Sequence, residues 1–302
     1  MKILITGALG HIGSHIITKI HKNKNIKKIF LVDNFLSKKF NILFKIKNRK
    51  YKFIYGDLTE EQFTMNLPKV DYVLHLASIT DVEKSFNEPK EILKNNLGCF
   101  KNIVKYCLNN NSKLIHISST SIYGSPKKNI NENSKPNPQS PYAQIKVKEE
   151  NILKKTKKLN FITLRFGTIS GYSDGMNFHT VVNKFCLYAI MKITIPIWGK
   201  AMKLYRPYLS LNDAYKVIDF ILKKRVCTND FYNVLSENKT VQDILNILKN
   251  NNLKIKVKYI NSKLYNQFSF ITEKTKIEQL GLKLNSKISQ DIEIIMKKLI
   301  IK

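Results

Sequence analysis

Short apolar runs alternate with amphipathic stretches through the first half of the chain. Residues 2–6, 28–33, 52–55, 72–75, 114–118 and 162–165 are runs of strand length. Between them, residues 11–21 and 91–109 carry apolar positions at helical spacing. Strands separated by helices in this way predict a parallel sheet covered on both faces. After Arg165 the rhythm breaks. Residues 167–178 read as a loop, 180–191 as a helix, 193–198 and 208–211 as short strands, and 211–223 as another helix. Residues 231–234 suit a last sheet strand, Thr240 caps a helix running to Asn250, and the tail from Asn251 is mixed. Neither an internal repeat nor a low-complexity linker interrupts this order. The expected fold is α/β, a doubly wound parallel sheet over residues 1–167 with a smaller C-terminal lobe over 168–302. The chain is expected to return to the first unit at about 208–236.

Composition narrows the class. The 302 residues are 43% hydrophobic and 25% charged, which suits a soluble globular protein with a full core. The apolar runs fall far short of a membrane span, and Met1-Lys2 leads straight into a strand pattern rather than a signal peptide. Four cysteines, at 99, 107, 186 and 227, are too sparse for a disulfide scaffold and have no metal spacing. No metal is expected, and a reducing, cytoplasmic setting fits. The formal net charge of +30 raises the question of nucleic acid. Only four of the 52 basic residues are arginine, and lysine is spread along the whole chain among abundant asparagine and isoleucine. All three residues have AT-rich codons, so their joint excess reads as composition. A dedicated nucleic-acid surface would favour arginine with interleaved aromatics. No specific nucleic-acid or membrane partner is expected, although the field should attract anionic, phosphate-bearing ligands.

Candidate chemistry begins with "MKILITGALGHIGSHII", where Gly7, Gly10 and Gly13 lie between a strand and a helix opened by His11 and Ile12. Gly7 permits a tight turn, Gly10 lets backbone approach a pyrophosphate, and Gly13 lets helix and strand pack closely. The helix N-terminus adds amide donors for phosphates. A glycine-containing connection without a ligand is the plainer alternative. The next strand ends in "IFLVDN". Asp33 can accept from ribose hydroxyls of NAD and would repel the extra phosphate of NADP, about 20 residues beyond the glycines. "YGDLT" sets Asp57 and Leu58 at the end of the third strand, towards an adenine. In "PQSPYAQIKVKEE", Tyr142 and Lys146 stand one helical turn apart behind Pro141, which suits a first-turn position.

These motifs, with "HLAS" at 75–78, "NNLG" at 95–98, "SSTSIYG" at 118–124 and "RPYLSLND" at 206–213, occur in an order that resembles a known family. The chain is similar to the extended short-chain dehydrogenase/reductases, in their NAD-dependent nucleotide-sugar epimerase/dehydratase group. The resemblance covers nearly the whole chain and implies a Rossmann sheet with a substrate-binding lobe. It implies catalysis by Ser119, Tyr142 and Lys146, with Lys146 also holding the nicotinamide ribose. Free tyrosine titrates near about 10; a nearby ammonium and a positive nicotinamide both favour its phenolate. Tyr142 could then exchange a proton with a sugar hydroxyl while hydride passes between the same carbon and NAD. Leu76, Ala77 and Ser78 would line the pyrophosphate, and Asn34 and Asn95 would serve the cofactor, Asn95 by ordering nearby loops. Ser119, Thr120, Thr168, Trp198 and Arg206 would meet a nucleotide-diphosphate sugar, with Arg206 on the phosphates. The family also implies a homodimer through the helices around 91–109 and 142–157. His75 and His116 read as core histidines.

Departures from the family bear on the reaction. Its dehydratases and decarboxylases carry an acid just after the catalytic Ser/Thr, where this chain has Thr120 and Ser121. Thr168 replaces an asparagine that commonly touches the diphosphate, and "MNFHTVVNKF" is unusual at its place. The leading expectation is an NAD-dependent epimerase, acting at C4 of a nucleotide sugar. A ketosugar reductase stands second, and a catalytically idle NAD- or RNA-binding relative is the alternative from another class.

Overall fold

The computed structural model describes residues 1–124, 129–251, 255–260 and 269–300. The first strands are β1 (Lys2–Thr6), β2 (Lys28–Asp33), β3 (Tyr51–Tyr55), β4 (Tyr72–His75), β5 (Lys113–Ser119) and β6 (Phe161–Phe166). Next come β7 (Thr168–Ser170), β8 (Ile195–Trp198) and β9 (Arg206–Ser210), before β10 (Phe231–Val234) joins the edge beside β6. The resulting seven-stranded sheet has the order β10-β6-β5-β4-β1-β2-β3, and every neighbouring pair is parallel. This is the doubly wound Rossmann arrangement that the alternating runs predicted. Strand order reverses between β1 and β4, which opens a crevice beyond their C-terminal ends.

The helices of the first half are α1 (His11–Ile20), α2 (Glu61–Met65), α3 (Val82–Asn87), α4 (Pro89–Asn110) and α5 (Pro141–Lys155). Those that follow are α6 (Val181–Ile190), α7 (Leu211–Lys224), α8 (Val241–Asn250), α9 (Thr275–Glu278) and α10 (Ile288–Leu299). Both faces of the sheet are covered, and the central strands β1, β2 and β4 are accordingly near-continuous apolar runs, whereas the edge strand β3 alternates and stays half exposed. Ile3 and Ile5 share a core with Ile16 and Ile20 of α1 and Ile218 and Ile221 of α7. Leu4 points the other way, into a core with Phe100 and Ile103 of α4 and Leu153 of α5. Each such side chain contributes roughly 1.5–3 kcal/mol when fully buried.

A third apolar cluster gathers Val182 of α6, Ile244 of α8 and Ile292 and Ile295 of α10. β9 pairs parallel with β7 and antiparallel with β11 (Glu237–Lys239), and β8 pairs with β12 (Val257–Ile260). Several expected boundaries move. The segment expected to be loop after Gly167 contains β7, a strand of three residues that gains its order by pairing with β9. β8 begins at Ile195 rather than 193, and β9 starts at Arg206 and yields Leu211 to α7. Within the mixed tail lie β12, α9 and α10, while 252–254, 261–268 and 301–302 fall outside the described residues. No helix among the described residues is long and apolar enough to cross a membrane.

Candidate active site

The turn between β1 and α1 has room for glycine alone at two positions. Gly7 has φ +59°, and a Cβ there would stand 2.6 Å from Ala77 N. A Cβ on Gly13 would meet Ala8 O at 2.4 Å, so this glycine lets α1 seat against the turn. At Gly10 the nearest obstruction is 3.3 Å away, and its face opens on a cavity of about 330 Å³. That cavity is lined by Gly7, Gly10, His11, Ile12, Gly13, Asp33, Asn34, Leu58, Leu76, Ala77, Ser78 and Asn95, nearly all of the expected cofactor residues. Its backbone cradle at a helix N-terminus fits a dinucleotide pyrophosphate, and Ser78 Oγ is buried there without a protein partner.

Asp33 sits at the rim with Oδ2 accepting from Leu9 N at 3.0 Å and Oδ1 from Phe35 N at 2.9 Å. Burial pushes its pKa up, against those amide bonds. Asp57 lies between the lining residues Gly56 and Leu58, outside the cavity lining itself. Its carboxylate accepts from Asn34 Nδ2 at 3.1 Å and from Thr59 N and Oγ1 at 2.8 and 2.7 Å, so it orders the turn behind Leu58. Asn95 passes its expected task to its neighbour. Asn96 Oδ1 accepts from Ile79 N at 2.8 Å and Asn96 Nδ2 donates to Ile79 O at 3.0 Å, while Asn95 donates to Asn96 and faces the cavity.

Residues of the segment 171–177 close over the glycine turn. Burial holds His11 down at about 4, so its neutral ring donates Nε2–H to Gly171 O at 2.8 Å. Ser173 Oγ donates to His11 O at 2.8 Å and Gly175 N to Ser14 Oγ at 2.9 Å. Lys39 Nζ donates to Gly175 O and Met176 O at 3.0 and 3.1 Å, and also to Asn177 Oδ1.

A second cavity, of about 430 Å³, shares His11, Ile12, Leu76, Ser78, Asn177 and His179 with the first, so the two form one crevice. Tyr142 and Lys146 reach it from α5, whose start is fixed by Pro141 and by Ser140 Oγ accepting from Ala143 N at 3.2 Å. Lys146 Nζ stands 5.8 Å from the Tyr142 ring centroid. Ser119, at the end of β5, is close enough for its hydroxyl to favour the ionised phenol. Lys146 pulls in the same direction, yet burial outweighs both and lifts the Tyr142 pKa. Thr168, Trp198 and Arg206 line this cavity together with Ser119 and Thr120. Thr120 reaches it with its hydroxyl tied back to Phe166 O at 3.3 Å. Arg206 lies 5.4 Å over the Phe270 ring, and burial draws its pKa down to about 10. Ser121 Oγ is buried and without a protein partner. Asp81 and Glu83 are the carboxylates that line this cavity among the described residues, and Asp81 is engaged in capping α3.

Residues 3–234 match the NAD dependent epimerase/dehydratase family. The chain belongs to that family. A dTDP-D-glucose 4,6-dehydratase of Dictyostelium discoideum is 30% identical over 256 residues, covering 77% of this chain and 58% of its own length. A Bacillus subtilis protein described as an uncharacterised UDP-glucose epimerase is 27% identical, covering 74% of this chain and 73% of itself. The chain thus spans little more than half of the first relative. Among solved structures, Thermus thermophilus UDP-glucose 4-epimerase in complex with NAD superposes with a TM-score of 0.87 at 21% identity, over 98% of both chains. Streptomyces venezuelae dTDP-glucose 4,6-dehydratase with NAD bound gives 0.89 at 18%, over 98% of this chain and 97% of its own. At those identities the likeness describes the fold.

Two carboxylates in this epimerase/dehydratase family member escaped sequence reasoning. In "KVKEENILKK", Glu149 and Glu150 look like part of a solvated helix face, yet each is 1% exposed. Glu150 receives Arg165 Nε at 2.9 Å and Arg165 Nη2 at 2.8 Å, plus Ser118 Oγ at 2.7 Å. Glu149 lies under the active face: its Oε2 accepts from Lys146 Nζ at 2.9 Å and is 2.9 Å from His116 Nε2. His75 and His116 are core residues as expected, but His116 is joined to the site through Glu149.

Proposed function

We propose that the protein is an NAD-dependent epimerase of a nucleotide-diphosphate sugar, acting at C4 through a transient 4-keto intermediate. One observation carries this reading: Ser119, Tyr142 and Lys146 face the crevice that the glycine turn opens, and hydroxyls replace any acid at 120 and 121. Bound against the turn, NAD supplies a reversible hydride acceptor. Tyr142 would take the proton of the sugar hydroxyl at the carbon being oxidised and give it back to the same oxygen when that carbon is reduced again. Ser119 donates to the reacting oxygen, where charge develops. Lys146 stays charged, because Glu149 and Tyr142 outweigh the burial that opposes its ammonium. Asp33 selects NAD over NADP, and Arg206 with Trp198 receives the nucleotide diphosphate.

The Dictyostelium relative's name favours a dehydratase, but elimination of water needs an acid beside Ser119. Thr120 is tied to Phe166 O and Ser121 offers only a hydroxyl. Residues 1–167 and 208–236 form the cofactor unit in this reading, with the remainder as substrate lobe. A homodimer through α4 and α5 is part of it, and so is a cytoplasmic setting, where the four thiols stay reduced. The test is to incubate purified protein with UDP- and dTDP-linked glucose, N-acetylglucosamine and glucuronic acid and identify products by NMR. The expected product is a 4-epimer formed without net NADH consumption. Tyr142→Phe should keep the fold and lower turnover by roughly 10²–10⁴-fold. A 4-keto-6-deoxy product, or unaltered turnover by that variant, would refute the reading.

A further inference from the structure

Glu149 is a buried charge that touches neither cofactor nor sugar in the reaction outlined above, where it appears only as the partner of Lys146. Its Oε2 is shared between Lys146 Nζ and His116 Nε2, each at 2.9 Å. The other ring nitrogen of His116 is 3.3 Å from Thr163 Oγ1. Burial keeps this imidazole neutral despite the neighbouring carboxylate. The partners therefore assign the tautomer, with Nε2–H donating to Glu149 and Nδ1 accepting from Thr163. Burial also opposes the charge on Glu149, but the Lys146 ammonium and the His116 hydrogen bond prevail and hold the carboxyl at about 2. Among the described residues its field reaches Tyr142 and Lys146 on α5, His116 on β5, His75 on β4 and Cys99 on α4, while Glu150 on α5 acts on Lys146 and His116. Glu150 is already neutralised by its two-pronged pair with Arg165. The balance at Tyr142 therefore comes down to one ammonium and one carboxylate.

We propose that Glu149, braced by His116, is a positioning residue that fixes the Lys146 ammonium and cancels its field at Tyr142, so the phenol releases its proton only when a further positive charge enters the crevice. The proposal rests on the reading of Tyr142 as the base. An unpaired ammonium beside a phenol would by itself ease ionisation. Paired at 2.9 Å, its pull on Tyr142 is opposed by the Glu149 carboxylate, and burial then dominates and lifts the phenol. An oxidised nicotinamide ring carries a positive charge and a reduced one does not. Glu149 would thus leave Tyr142 basic on the oxidising stroke and acidic on the returning one.

The test uses cofactor-free protein labelled at the tyrosine ring Cζ. The Tyr142 signal is assigned by its loss in Tyr142→Phe and followed by NMR against pH. Glu149→Gln keeps the shape and removes the charge, and loss of an anion eases proton release from every neighbour. The first proton of the coupled Tyr142–Lys146 pair should leave about 1–2 pH units lower than in the parent. In the NAD-loaded enzyme the acid limb of kcat/KM should move the same way. Glu149→Asp, which draws the charge back by one methylene, should give an intermediate shift and covers the case of a poorly folded glutamine variant. A folded variant with an unmoved titration overturns the proposal even if its activity falls, because a merely structural role would lower rate without moving the proton. Full activity in Tyr142→Phe would instead sink the reading of Tyr142 as base and leave the titration result standing.

Discussion

Asp291→Asn should make the protein more stable at neutral pH, although it alters a buried, hydrogen-bonded group. Asp291 is 3% exposed on α10. Its oxygens accept from Ser210 Oγ at 2.8 Å and from Ser170 Oγ, which ties α10 to β9 and β7. Burial, with Asp213 and Glu237 adding to it, raises the carboxyl from 3.8 to about 6 against those serine bonds. At about 1.4 kcal/mol per unit, the shift corresponds to roughly 3 kcal/mol. The folded carboxyl holds its proton more tightly than the unfolded one, so the native state binds more protons between those two values. Stability therefore falls as pH rises through that window. Below about 3.8 the cost is absent; above about 6 it is complete. An asparagine is neutral throughout, and its amide can serve both hydroxyls once one of them rotates to accept. Urea unfolding followed by circular dichroism from pH 4 to 8 should show the variant ahead by up to about 3 kcal/mol at pH 7.5, with the gap closing towards pH 4. A variant weaker than the parent at pH 7.5, or a gap independent of pH, would refute the argument.

Three further outcomes follow from the site. Gly7→Ala places a Cβ 2.6 Å from Ala77 N at φ +59°. It should cost about 1–3 kcal/mol in thermal unfolding and abolish NAD co-purification; retention of both contradicts the turn's role. Asp33→Ala should narrow the preference for NAD over NADP in cofactor titrations, and tighter NADP binding by the parent would overturn the assignment. Glu150→Ala strips the buried Arg165 of its two-pronged partner. It should destabilise by about 3–5 kcal/mol, and a loss within about 0.5 kcal/mol would show the pair to be idle.

Much of the sheet was legible because a parallel strand buried on both faces is a mostly apolar run, and such runs survive in the sequence of β1, β2 and β4 and, broken by His116 and Arg165, of β5 and β6. The glycine turn and the Tyr142–Lys146 spacing were equally plain, since turn geometry and helical rise are local. What escaped depends on partners far away in the chain. β7 has three residues and no pattern of its own; its pairing with β9 makes it a strand. Asp57 was placed from its strand end alone, where its hydrogen bonds to Asn34 and Thr59 carry no sequence signal. Asn95 and Asn96 are indistinguishable in sequence, and only helix phase sends Asn96 to Ile79. Nothing local marks Glu149 and Glu150 as buried, because their partners, His116 and Arg165, sit on β5 and β6. The seating of residues 171–177 on the glycine turn joins segments about 160 residues apart through serine and backbone contacts that carry no motif.

The central claim is that hydride leaves one sugar carbon and comes back to the same carbon. Turnover of the accepted nucleotide sugar in deuterated water, with the product read by NMR, tests it most directly. The account predicts a 4-epimer that keeps full protium at C4 and C5, because Tyr142 exchanges only the hydroxyl proton. Solvent deuterium at C4 would contradict hydride return, and deuterium at C5 with loss of water would place the chain among the dehydratases.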